Sequence, residues 1–143
     1  YMVTKTWLSR MRNTACIPWH IHSTSHVSFC YYVNMPPNSH AVEFENPHHK
    51  NSLFLGSTGD IKYEEQRMLK EINHENASTY YIVPPEGHVA LFPSSLAHRT
   101  KCMDDNFNDE RLAIVGDITL ILKEEHLHYS MGYIDERYWK KYK

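Results

Sequence analysis

At 143 residues and 16.9 kDa the chain has the size of one domain, long enough to bury a single core without disulfides. A formal charge of -2, a pI near 6.6 and scattered Lys and Arg give no broad basic footprint, so nucleic acid is not an expected partner. No apolar run reaches the ~18 residues of a membrane span, which leaves a membrane role unexpected as well.

Three cysteines, Cys16, Cys30 and Cys102, are odd in number and at no metal-like spacing. Nothing at the N-terminus reads as a signal segment, and the expected setting is a reducing cytoplasm. The chain opens at Tyr1 without a Met and almost directly in a strand-like segment, so the natural protein is expected to extend upstream.

In chain order, Tyr1 to Arg12 alternates and is rich in Val, Thr and Trp, and predicts a strand; Ile17-Pro18-Trp19 predicts a second, with the proline at an edge or a strand entry. Val27 to Met35 is a β-branched and aromatic run stopped by Pro36-Pro37-Asn38, and Ala41 to Glu45 a shorter strand stopped by Asn46-Pro47. From His48 to Ser78 the chain turns polar, with a weakly amphipathic helix predicted over about 61–72, and this stretch reads either as a lid or as decoration. Strand signals return in Thr79 to Val83, in His88 to Phe92 after a Pro84-Pro85-Glu86-Gly87 turn, and in Arg111 to Leu122. The aromatic and basic tail with Tyr138, Trp139 and Tyr142 predicts a short C-terminal helix. Many short strands with almost no helix make the expected fold all-β, a jelly roll or double-stranded β-helix, forming one domain over 1–143 with the 48–78 segment as a polar insertion.

His20-Ile21-His22 puts two imidazoles at i and i+2, which face the same way on an extended backbone, so a third from a neighbouring strand would complete a metal site. His98 suits that place, because it follows a Gly-containing turn, an apolar strand and the Phe92-Pro93 break. A lone His-x-His among eleven histidines is more often decoration, and His26, His40, His48, His49, His74, His88, His126 and His128 read as background. What raises the pair above that level is its combination with His98 and with Arg111, thirteen residues after His98 at the head of a strand. A guanidinium there would pair with a carboxylate in a bidentate way, and Tyr32 could add a hydroxyl donor to the same group. The plainer alternatives are a surface ion pair of Arg111 with Asp109 or Glu110, and simple core packing for Tyr32.

Taken together, Pro18-Trp19-His20-Ile21-His22, Val27-Ser28-Phe29-Cys30-Tyr31-Tyr32-Val33-Asn34, Val42-Glu43-Phe44-Glu45-Asn46-Pro47, Gly87-His88-Val89-Ala90-Leu91-Phe92-Pro93 running to His98-Arg99, and Glu110-Arg111-Leu112-Ala113-Ile114-Val115 resemble the Fe(II)/2-oxoglutarate-dependent dioxygenases. The likeness is to their prolyl-hydroxylase-like branch and to the small oxygenase-like proteins of bacteria and marine phages, and it runs from Trp7 to Leu122. It implies that His20 and His98 bind Fe(II), with His22 as the third ligand, and that Arg111 and Tyr32 hold the distal carboxylate of 2-oxoglutarate. Ser28 is taken with them as a cofactor contact. It further implies oxidative decarboxylation of 2-oxoglutarate to succinate, coupled to hydroxylation of a small-molecule or peptidyl substrate, in a host cytoplasm if the gene is a phage's.

One position departs from the family, since His22 stands where His-x-Asp would put a carboxylate; Asp117 and Glu43 are the lesser candidates for that ligand. Two other functions compete. One is a cupin-type dioxygenase with a three-histidine site and no need of 2-oxoglutarate, for which His26 after the pair has some flavour; the other is a non-catalytic β-barrel binding module that has kept the scaffold and lost the chemistry.

Overall fold

A computed structural model describes residues 1–47 and 77–120. Its eight strands are β1 (Met2–Met11), β2 (Ile17–His20), β3 (Val27–Asn34), β4 (Val42–Glu45), β5 (Thr79–Tyr81), β6 (Val89–Pro93), β7 (His98–Thr100) and β8 (Arg111–Thr119). Each predicted strand is present, most of them a residue or two shorter than expected, because proline and turn residues stop the ladder before the apolar run is exhausted. β8 ends at Thr119 rather than Leu122, and β7 arises where the sequence showed only a histidine after a break. The helix predicted over 61–72, nearly all of the 48–78 insertion and the C-terminal helix lie outside the described residues.

Two four-stranded antiparallel sheets form, one in the order β1-β8-β3-β6 and the other β2-β7-β4-β5. β1 pairs with β8, β2 with β7, β3 with β6 and β4 with β5, so the described chain is one long hairpin folded across two sheets, its tip lying between β4 and β5. That is the double-stranded β-helix, or jelly roll. β8–β3 and β7–β4 pairings seal the middle of each sheet.

The alternation of β3 turns Ser28, Cys30 and Tyr32 inward, and on β8 the corresponding face carries Arg111, Ala113 and Asp117. Cys30, Tyr32, Ala41, Ala90 and Ala113 pack as one buried cluster; Val42, Phe44 and Phe92 form a second, and Met11, Met103 and Phe107 a third. The outward face of the first sheet is apolar as well, with Leu8, Ile114, Tyr31 and Val89 in a row across all four strands. Among the described residues no helix is long and apolar enough to cross a membrane.

Candidate metal centre

β2 ends at His20, which pairs directly with His98, the first residue of β7. This register sets the His20 and His98 rings with their centroids 4.2 Å apart. His22 lies just past the end of β2, tied back by its backbone N–H to the Ser94 carbonyl at 2.9 Å, and its ring centroid is 5.2 Å from that of His20 and 5.1 Å from that of His98. The strand period alone therefore does not place His22; the bond to Ser94 completes what the strand begins. One nitrogen from each of the three rings lies within 4.8 Å of the others, which makes His20, His22 and His98 the cluster among the described residues able to share a metal ion.

The outer nitrogens fix the tautomers. Nδ1 of His20 is 2.8 Å from the Pro18 carbonyl and Nδ1 of His98 is 2.8 Å from the Leu96 carbonyl. A carbonyl can only accept, so each Nδ1 carries the proton and each Nε2 keeps its lone pair. Nδ1 of His22 meets the Asp117 carboxylate at 2.5 Å and is fixed in the same way. Three Nε2 lone pairs, each with its Nδ1–H anchored, are the donor set that a divalent transition metal takes. Burial, helped by the neighbouring His20 and His22, lowers the pKa of His98 against the opposing pull of its bond to Leu96, and so keeps the ring neutral as a ligand must be.

Asp117 is buried, and its Oδ1 also accepts the Ser28 hydroxyl at 2.9 Å. Ser28 is in turn 2.8 Å from Ser94, which bonds Ser25 at 2.8 Å. The Ser28 hydroxyl is thus engaged by Asp117, Ser94 and His22, on the metal side of the sheet. Neither lesser candidate for a carboxylate ligand joins the cluster: Asp117 stands behind His22, and Glu43 is held by Arg99 at 2.6 Å, Thr79 at 2.9 Å and Lys101 at 3.5 Å. Trp7 flanks His22 at 5.7 Å between ring centroids and carries the Lys5 ammonium 4.9 Å above its own ring. Neither the Trp7 contact nor the pairing of Asp117 with His22 was among the sequence expectations. Asp117 was detectable, being six residues after Arg111 on one strand and so on the same face.

Arg111 is 1% exposed, not on the surface, and Glu110 pairs instead with Arg10 and Arg12. Its guanidinium has Nη1 3.0 Å from Met11 Sδ and Nη2 3.9 Å from Cys30 Sγ, and it lies 5.0 Å over the Tyr32 ring. Nε is buried with no partner, and no carboxylate among the described residues reaches the group. Tyr32, fully buried, accepts the Val42 N–H at 3.4 Å; burial, with Cys30 alongside, raises the phenol pKa so that the group stays an O–H donor. Burial likewise raises the Cys30 thiol, despite Arg111 beside it.

The chain also matches a known protein family over residues 5–117, one described as "Putative 2OG-Fe(II) oxygenase". The chain belongs to the 2OG-Fe(II) oxygenase family. No curated protein matches it. Family membership, the jelly roll and the histidine cluster agree on an oxidoreductase-type domain with a cluster able to hold a metal ion, and the family implies Fe(II) and 2-oxoglutarate as its cofactors. The imidazole set fits the metal, and the unpaired guanidinium fits an anion.

Proposed function

We propose that this 2OG-Fe(II) oxygenase family member hydroxylates a small-molecule or peptidyl substrate while 2-oxoglutarate is decarboxylated to succinate. One observation carries the reading: the fully buried Arg111 guanidinium, with an orphaned Nε, lies in the same sandwich as three converging imidazoles. An unpaired buried cation costs several kcal/mol unless an anion is supplied, and a dicarboxylate that also chelates the metal supplies one. The spacing supports this. Cys30, which the guanidinium touches, opposes Val115, two residues or about 7 Å along β8 from Asp117 behind His22.

In this reading His20, His22 and His98 hold Fe(II) through Nε2, Arg111 takes the distal carboxylate, and the Tyr32 O–H donates to the same group. Bound iron with 2-oxoglutarate activates oxygen for insertion into an unactivated C–H bond. The chain's own residues fix the tautomers, pair the cosubstrate's charge and exclude water from the buried end of the site. The proposed setting is the cytoplasm, with neither nucleic acid nor membrane as partner. Three imidazoles in place of two and a carboxylate also suit a cupin-type dioxygenase without 2-oxoglutarate, but that enzyme has no use for Arg111.

The test is an anaerobic titration of the protein with Fe(II) and then 2-oxoglutarate, followed by visible absorption. A metal-to-ligand charge-transfer band that Arg111→Ala removes, with Fe(II) affinity nearly unchanged, is the expected result. Fe(II) binding with no band at saturating 2-oxoglutarate would favour the cupin reading, and folded protein that binds neither would favour the non-catalytic barrel.

A further inference from the structure

A divalent ion held by three neutral imidazoles keeps its whole charge, whereas a His-x-Asp set would neutralise part of it at the metal. The buried Asp117 carboxylate lies one imidazole away, 2.5 Å from the far nitrogen of the ring that occupies the aspartate's place. We propose that Asp117 is a positioning residue that supplies through His22 the negative charge the missing ligand would have brought, so that the His22–Asp117 pair does the work of one carboxylate ligand. The inference rests on the three-histidine centre proposed above.

Several contacts support the assignment. A carboxylate accepting Nδ1–H makes the opposite nitrogen more basic and locks the ring's orientation. The Ser28 hydroxyl donates to the same Oδ1 at 2.9 Å, which directs that oxygen between Ser28 and His22. Its own oxygen is met by Ser94 at 2.8 Å, whose backbone carbonyl takes the His22 N–H. Backbone and side chain of His22 are therefore held by one connected group, and no cationic side chain among the described residues pairs with Asp117. His20 and His98 have only neutral carbonyls behind them, at Pro18 and Leu96, so the charge enters the site at one ligand.

The experiment measures Fe(II) affinity anaerobically, by competition with a chelator, together with the visible spectrum of Co(II)-loaded protein. Asp117→Ala should weaken Fe(II) binding by about 10–100-fold, and Asp117→Asn, which keeps an acceptor but not the charge, by a smaller but clear factor of about ten. The decisive arm is the sign of the effect in a second background. His22→Asp alone sets two carboxylates against each other and should bind metal poorly, while His22→Asp with Asp117→Asn restores the His-x-Asp set and should bind better than His22→Asp alone. Asp117→Asn that harms the parent and helps His22→Asp, with a shifted Co(II) spectrum in both, is the result expected.

A structural role would lower thermal stability in both backgrounds with no such reversal, and would overturn the proposal. So would affinities within about two-fold of the parent for both Asp117 variants. If Asp117→Ala does not fold, the Asn pair decides alone. Failure of the unaltered protein to bind Fe(II) or Co(II) at all would defeat the three-histidine centre itself and this inference with it.

Discussion

Arg111 carries a full charge among Met11, Cys30 and the face of Tyr32, and the two sulfurs and one ring are poor replacements for water. With Nε unpaired and no carboxylate partner among the described residues, this residue is a burden on the fold. Arg111→Met, close in volume and apolar, should leave the ligand-free protein as stable or stabilise it by about 1–3 kcal/mol, read as a raised thermal midpoint, while abolishing the 2-oxoglutarate band. A lowered midpoint would mean that the guanidinium is satisfied in some other way. Tyr32→Phe keeps the ring beneath Arg111 and removes only the hydroxyl, so it should weaken 2-oxoglutarate by about 0.5–1.5 kcal/mol, roughly 2- to 12-fold, with Fe(II) affinity unchanged. Both outcomes are read by titrating the cosubstrate against iron-loaded protein.

β8 does most of the structural work, since it lies between β1 and β3 and carries both Arg111 and Asp117. Gly116 lets its neighbours close around it: a Cβ there would fall 2.5 Å from the Phe29 ring and 2.8 Å from the Lys5 carbonyl. Gly116→Ala should cost about 1–3 kcal/mol by overpacking, and Phe29→Ala in the same chain should recover less than all of it, because the Lys5 backbone cannot move away as a side chain can. In the other sheet, Glu43 on β4 ties to Arg99 and Thr79 on its two neighbouring strands. Its burial would raise the carboxyl, but the bonds from Arg99 and Thr79 and the charge of Lys101 outweigh that and hold it below its ordinary 4.5. A depressed carboxyl stabilises the fold above its unfolded value and loses that contribution as pH falls through the folded one. The acid limb of the stability curve, from about 4.5 downward, should therefore be shallower in Glu43→Gln, as followed by circular dichroism.

Strand positions were legible because β-branched and aromatic runs end at proline and turn residues, as Val27 to Asn34 does before Pro36-Pro37. Alternation helped for Tyr1 to Arg12 but was blurred in β3, β6 and β8, because Tyr31, Leu91 and Ile114 keep the outward face apolar too. β7 was hard to see because three residues, His98-Arg99-Thr100, hold a strand by their partners rather than by their own propensity. The convergence of His20 and His98 could be read from residue type and place at strand ends, and the burial of Arg111 from its place at the head of β8, whereas His22 also needs its bond to Ser94. The spacing of Asp117 from Arg111 puts it on the inward face, but its meeting with His22 could not be read, since that depends on a fold-wide pairing across 95 positions of sequence.

At the scale of the whole molecule, metal and stability are linked. An ion that binds the folded chain alone stabilises it by RT ln(1 + [L]/Kd), about 2.7 kcal/mol at a hundredfold excess over Kd. The thermal midpoint should rise with Co(II) or anaerobic Fe(II), fall back with chelator, and stay flat in His98→Ala; an equal rise in that variant would place the ion elsewhere. The pairing of β1 with β8 also sets an order of events during synthesis. Until residues near Thr119 leave the ribosome, Met2 to Met11 lacks its β8 partner, the carboxylate behind His22 does not exist, and the nascent chain cannot close the sheet of β1, β8, β3 and β6. A chain built this way meets the partner of β1, and the carboxylate behind His22, only late in its synthesis.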